Sequence, residues 1–241
     1  MTLRFRPLWG FTLICAPLFA VLVGLGIWQL ERLQWKLALL AQIRRNMAAT
    51  PINLETAIEL GDRAQYRRVT LTGRFENRME DYFYTSGPAG GPVYHVLTPL
   101  RLSDNRAVMI DRGFISLNQK SPASRPDSQV QGKVTITGVW RLPDRPGMFT
   151  PAPDLTHRVW FARDLDAMAR LDRLRLATPA ILEVVASSHS RRWPRGGQTR
   201  VSLPNDHLQY ALTWFLLAGA LLVVYIAFHR ARGRLVFGSG L

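Results

Sequence analysis

GGQTRVSLPNDHLQYALTWFLLAGALLVVYIAFHR (residues 196–230) ends a polar region and begins an apolar one. Between positions 208 and 228 the only polar side chains are Gln209, Tyr210, Thr213, Trp214 and Tyr225. The run is close to the ~20 residues a helix needs to cross about 30 Å of hydrocarbon. Asn205 and Asp206 stand before it, where a helix start favours Asn or Asp caps. His207 falls between cap and apolar run, one turn from Tyr210 and two from Trp214 on the same helical face. An ionisable residue at a membrane boundary marks a candidate functional site. A boundary residue can equally do no more than begin the helix and touch headgroups.

A second apolar run covers residues 8–30. It exceeds the 7–15-residue core of a cleaved signal peptide, and Trp28, Gln29 and Glu31 follow it in place of a small-residue cleavage site. It therefore predicts an uncleaved anchor, with Pro17 as a candidate kink. The domain plan is a tail (1–7), a first transmembrane helix (8–30), a water-soluble domain (31–207), a second transmembrane helix (208–228) and a tail (229–241). Arg4 and Arg6 lie in one tail and Arg230, Arg232 and Arg234 in the other. By the positive-inside rule both tails are cytoplasmic and the central domain lies across the membrane. No Arg- and Ser-rich presequence precedes the first run, which points to a bacterial inner membrane with a periplasmic domain. In this topology Trp28, Gln29 and Arg32 reach the depth of His207, and Arg200 is near it in sequence. The two helix ends are thus expected to build one site.

The chain has 241 residues and a net charge of +14. Its arginines are scattered along the chain as singles and pairs, not in a stripe and without a DNA-binding motif, so nucleic acid is not an expected partner. The single cysteine, Cys15, excludes an intrachain disulfide and a Cys-based metal site.

Residues 31–47 carry helix formers and should extend the first helix out of the bilayer, with Pro51 ending it. Asn53 should cap a short helix over 54–60 that Gly61 closes. Strand patterns follow at 66–75, 79–85, 93–102, 107–115, 133–141, 158–163 and 180–186, with a helix over 164–171 capped by Asp164. The spacing predicts a mainly-β, antiparallel, barrel-like α+β domain between the two membrane helices. Gly73 and Gly113 read as bulge or close-approach positions. Arg112 reads as one half of a core ion pair. His95, His157 and His189 have no metal-ligand spacing and read as structural or surface residues, and His229 is expected among headgroups.

Several blocks in this order resemble the Surfeit locus protein 1 family of cytochrome c oxidase assembly proteins. They are GIWQLER (26–32) with WK (35–36), YRRV (66–69), GRF (73–75), VY (93–94), TPL (98–100) and DRGF (111–114). RPG (145–147), FTP (149–151), WFARD (160–164), GGQTR (196–200) and NDHLQYALTWF (205–215) complete the set. Phe114 stands where the family often has Trp, and Pro153-Asp154-Leu155 where it often has Asn-Asp-Pro. The resemblance implies a bacterial member that helps mature the haem–copper oxidase core at the stage of haem a insertion into subunit I. Haem a is the implied cofactor, carried rather than used catalytically, with His207 as the implied iron ligand. Subunit I, haem A synthase and the lipid bilayer are the implied partners.

Imidazole is a ready ligand of haem iron. Trp28 and Trp214 are placed to pack on a macrocycle. Arg32 and Arg200 suit propionates through charge-assisted hydrogen bonds. Tyr210, Trp28 and Trp214 read equally as belt aromatics, and Gln29 as an amide that bonds across to the second helix. Three function classes remain open at this point: a haem a chaperone, a cofactor-free assembly scaffold, and an enzyme. The enzyme is the weakest, because neither a nucleophile–base set nor several intramembrane histidines can be assembled.

Overall fold

The computed structural model describes residues 2–143, 146–185, 194–197 and 205–238. Arg200 and His189 lie outside them. In chain order the elements are β1 (Thr2–Phe5), α1 (Trp9–Ala48), β2 (Ile52–Asn53), α2 (Leu54–Leu60), β3 (Arg68–Phe75), β4 (Asp81–Ser86) and β5 (Pro92–Arg101). There follow β6 (Ala107–Ser116), β7 (Lys133–Arg141), β8 (Val159–Trp160), α3 (Leu165–Leu171), β9 (Leu176–Val184), α4 (His207–Ala231) and β10 (Leu235–Gly238). They form two compact units, Met1–Ala41 with Ser202–Leu241, and Gln42–Val201.

The first unit is a pair of helices, α1 and α4, each long and apolar enough to cross a membrane. They run antiparallel and are pinned by three polar contacts. His207 Nδ1 meets Gln29 Oε1 at 2.8 Å, Thr12 Oγ1 meets Tyr225 Oη at 2.8 Å, and Leu8 N donates to His229 Nε2 at 3.2 Å. From Leu8 to Gln29 the helix rises about 32 Å at 1.5 Å per residue, which matches the hydrocarbon thickness of a bilayer. Between the pins the packing relies on small residues, as expected where lipid supplies no hydrophobic drive. A Cβ on Gly26 would stand 2.6 Å from the Phe215 ring. Ala211 and Ala218, seven apart on α4, are both buried.

Three expectations change here. Asp206 occupies the N-cap position of α4, but its side chain makes no capping bond. Its φ −95°, ψ 8° is not the extended backbone that aims a cap side chain at the first turn. His229 is fully buried instead of lying among headgroups. Its Nδ1–H donates to the Tyr225 carbonyl, its Nε2 caps α1, and the rings of Phe5, Phe11 and Tyr225 surround it. The two tails pair as a short antiparallel ribbon, β1 on β10, extended by Arg6 N donating to Arg234 O at 2.9 Å.

The second unit is built on a closed ring of strands. Its order is β3-β7-β9-β6-β5, and β5 returns to β3 through Phe75↔Leu100 and Arg74↔Arg101. Gly73 permits this closure, because a Cβ there would lie 2.5 Å from the Arg101 carbonyl oxygen. Most pairings are antiparallel as expected, but β2–β3, β6–β9 and β4–β8 are parallel, so the sheet is mixed. Inside the ring, Val69, Leu71, Leu100, Val108, Ile110, Trp140 and Leu182 form one core, joined by Leu54 and Ala57 of α2. Outside it, Leu97, Met109 and Ile181 pack on Trp160 and on Leu165 and Met168 of α3. Strand β6 therefore buries both faces, which explains its unbroken apolar start, AVMI.

The predicted caps hold. Asn53 Oδ1 accepts from Thr56 N, and Asp164 Oδ1 accepts from Ala167 N. The first helix continues to Ala48, where Asn46 Nδ2 donates to the Gln65 carbonyl. The strand expected over 158–163 shrinks to Val159–Trp160: Arg158, with φ +54°, delays its start, and the chain bends at 161–162. The last strand starts at Leu176, earlier than the expected 180. At Gly113 the backbone has φ +111°, and Arg195 O lies 2.2 Å from where a Cβ would sit. Residues 194–197 cross β6 there, with Phe114 and Arg195 exchanging backbone hydrogen bonds.

Candidate functional site

His207 opens α4, and Gln29 lies at the end of the membrane-spanning part of α1. Neighbours in space and 178 residues apart in sequence, they hydrogen-bond at 2.8 Å. The amide oxygen only accepts, so His207 Nδ1 carries the proton. Nε2 has no hydrogen-bond partner among the described residues. A neutral imidazole fixed through one nitrogen and open at the other is the form that ligates a metal. The expectation that Gln29 bonds across to the second helix is met, and its partner is the histidine itself.

The other expected residues are placed less uniformly. Trp28 is adjacent to Gln29 in sequence, is 54% exposed and points about 100° away around the helix. Arg32, one turn beyond Gln29, is exposed and lies 4.3 Å over the Trp35 ring. Tyr210 is 55% exposed. Trp214 is partly buried, and its Nε1–H is enclosed without a hydrogen-bond partner. Asn205 Oδ1 is also enclosed without one, a feature the sequence did not single out. One unmet acceptor and one unmet donor thus flank His207 along its own helix. Among the described residues seven further side-chain atoms share this state, all in the second unit, so the two atoms do not by themselves mark a ligand. Of the expected set the structure joins Gln29 to His207 by a direct contact, while Arg200 lies outside the described residues.

The donor set discriminates between kinds of metal. Among the described residues no group of three His, Cys, Asp or Glu side chains could hold an ion. A bare metal ion needs three or four protein ligands. Haem iron already has four ring nitrogens and needs one axial imidazole. The single open imidazole of His207 fits the second case and not the first.

Two other histidines have carboxylate partners: His157 Nδ1 meets Asp154 Oδ2 at 2.7 Å on the surface, and His95 belongs to a buried cluster. His95 Nδ1 contacts both Asp111 oxygens at 2.9–3.0 Å, Arg163 Nη2 donates to Oδ2 at 2.8 Å and Gly113 N to Oδ1 at 2.9 Å. Burial alone would raise the Asp111 pKa, but His95, Arg163 and the Gly113 amide hold it down at about 2. This carboxylate stitches β5, β6 and the segment before α3. Arg112 is, as expected, in a core ion cluster. The Glu80 carboxylate accepts from Arg125, Arg112, Gln129 and the Tyr82 hydroxyl, all beneath the surface. Burial disfavours its charge, yet Arg125 first, then Gln129 and Arg112, keep its pKa below the usual carboxylate value.

Comparison with known proteins places these features. The SURF1 family model matches residues 16–219, which spans both Gln29 and His207. Surfeit locus protein 1 of Mus musculus is 34% identical over 88% of this chain and 72% of its own length. A SURF1-like protein of Drosophila melanogaster is 35% identical over 90% of this chain and 76% of its own. One from Rickettsia felis is 31% identical over 88% and 93%, respectively. Two membrane-length helices around a closed mainly-β domain, with the match running through both, make this chain a member of the SURF1 family.

Proposed function

We propose that this protein is an assembly factor for haem–copper cytochrome c oxidase that holds haem a at the membrane boundary and assists its insertion into subunit I. The oxidase-assembly part of this reading rests on membership of the SURF1 family. The haem part rests on one observation, the Gln29–His207 hydrogen bond that leaves Nε2 open at the helix end. His207 would supply the axial imidazole, and Arg32 a cation for a propionate. Trp214 Nε1 and Asn205 Oδ1 would find polar partners on the ligand. The bound group would be cargo, and its apolar tail suits the lipid around α1 and α4. No residue here is assigned a catalytic step, so the reading is a carrier and not an enzyme. The basic tails support an orientation with both ends in the cytoplasm of a bacterium and the β domain in the periplasm. Subunit I is the receiving partner, and haem A synthase the supplying one.

The test is to co-express the full chain with haem a biosynthesis, purify it and record the visible spectrum. The wild type should carry a Soret band, and His207→Ala should lose it while staying inserted and folded. A full Soret band in the variant overturns the ligand assignment. A colourless wild type overturns the carrier reading and leaves the cofactor-free scaffold. One observation favours that second reading. Met148 and Phe149 are 92% and 94% exposed at the tip of a turn held by reciprocal Gly147–Thr150 hydrogen bonds. A preformed turn offering two large apolar side chains suits a protein contact.

A further inference from the structure

The end of the helix pair away from His207 carries a second set of features that the haem reading does not use. Arg6, Arg230, Arg232 and Arg234 gather there and are exposed. The Arg6 amide bonds to the Arg234 carbonyl, so these two residues lie side by side. The Arg232 guanidinium sits 5.3 Å over the Phe228 ring, held at the rim of the apolar surface. Residues 1–30 and 207–241 contain no Asp or Glu side chain. Two turns further in, Thr12 and Tyr225 pair their hydroxyls at 2.8 Å. One of the two O–H groups must donate to the other, which leaves one proton to donate outward. Beyond them runs an apolar groove of about 260 Å³, lined by Thr12, Ala16, Phe19, Leu221, Leu222 and Tyr225. Along the helix axis the order is cationic, then hydroxyl, then apolar. Arg232 follows Tyr225 by seven residues, about 10 Å along the helix at 1.5 Å each.

We infer that this end is a binding site for one anionic phospholipid. The phosphate sits on Arg6, Arg232 and Arg234, an ester carbonyl accepts from the Thr12–Tyr225 pair, and an acyl chain fills the groove. The polarity order matches head, glycerol ester and tail. The choice of an anionic lipid follows from charge: a zwitterionic headgroup brings its own cation up to three arginines. Cations beside a membrane surface attract anionic lipid by an amount that corresponds to about fivefold in affinity per arginine. The hydroxyl pair and the groove add what a bare basic patch lacks, a seat for one chain.

The test uses the full chain in mild detergent. Phosphatidylglycerol and phosphatidylcholine with the same acyl chains are titrated separately, and bound lipid is read by native mass spectrometry. The wild type should prefer phosphatidylglycerol by at least tenfold. Arg6→Gln/Arg232→Gln/Arg234→Gln should lose roughly a hundredfold in affinity for it. Ala16→Phe, which fills the groove, should weaken both lipids. Tyr225→Phe keeps the ring packing around His229 and should lower affinity several-fold. It serves as the mild variant, with circular dichroism confirming helix content in all of them. Equal binding of the two lipids by the wild type overturns the inference. So does wild-type affinity in the arginine variant, or in both Ala16→Phe and Tyr225→Phe.

Discussion

Replacing Gln29 by Leu keeps the side-chain size and removes the acceptor that fixes His207. Two losses follow, and they differ in size. The first is one interhelical hydrogen bond, which in a membrane contributes about 0.6 kcal/mol on average and up to about 1.7. The helix pair retains its other pins, Thr12–Tyr225 and Leu8–His229, and its Gly26–Phe215 packing, so it should stay assembled. The second is orientation: without the 2.8 Å bond the imidazole can rotate and take the other tautomer. Loss of a residue that orients a metal-bound His lowers affinity about 10–100-fold. Titrating haem into the full-length variant and following the Soret band should therefore show weakened, not abolished, binding. His207→Ala should fall further. Gln29→Glu gives the matching control: a carboxylate acceptor makes the imidazole a stronger donor, restores affinity and lowers the midpoint potential of the iron. Wild-type affinity and spectrum in Gln29→Leu would refute the reasoning, because a histidine that ligates equally well without its partner is not positioned by it.

Gly26→Leu should drive the helices apart, since even a Cβ meets the Phe215 ring at 2.6 Å. Haem binding and thermal midpoint should fall together, and Phe215→Ala in the same chain should recover part of both. Glu80→Gln leaves Arg112 and Arg125 buried without a compensating charge. It should cost about 3–5 kcal/mol, on the order of 10 °C in midpoint by calorimetry, whereas a shift below 2 °C would mean the cluster is neutral overall. Asp111 titrates near 2 in the fold against an ordinary 3.8, so its contribution is present above pH 4 and lost as pH falls through 2. The stability gap between wild type and Asp111→Asn, about 2 kcal/mol at pH 7, should close over that interval. A gap constant from pH 7 to pH 2 would remove this carboxylate from the account. Gly113→Ala should misfold or lower the midpoint strongly, because a methyl group there meets the Arg195 carbonyl.

Much of this arrangement is local and could be read from local pattern. The helix over 54–60 announces itself with Asn53 and Gly61, and β7 alternates from Lys133 to Thr137, so both appear where expected. The two membrane helices are long uniform runs, a signal that no tertiary contact overrides. The errors lie where the partner is distant. A parallel β9 beside β6 cannot be told from an antiparallel one by alternation, since side chains alternate in both. Strand β8 looked longer because nothing in the pattern shows that Arg158, a residue that rarely takes positive φ, delays its start, or that the chain bends at 161–162. His229 resembles any basic residue at a membrane edge until Leu8 and Phe5 arrive from the far end of the chain to enclose it. At the candidate site, residue types at matching depths pointed to Gln29 and His207. The unmet atoms of Asn205 and Trp214 were invisible, because an unsatisfied polar group is a property of packing and not of sequence.

The bond between Leu8 and His229 spans 221 positions of the chain. A ribosome adds about 5–20 residues each second, so roughly 10–45 s separate the synthesis of these two partners. For that interval α1 stands in the bilayer alone, with Gly26 uncovered, the Gln29 amide unpaired and its first turn uncapped. Any nascent helix with a small-residue face and a polar group at the same depth can occupy α1 meanwhile. Arrival of the last forty residues ends that interval, when α4 covers Gly26 and pairs Gln29 and the two tails join.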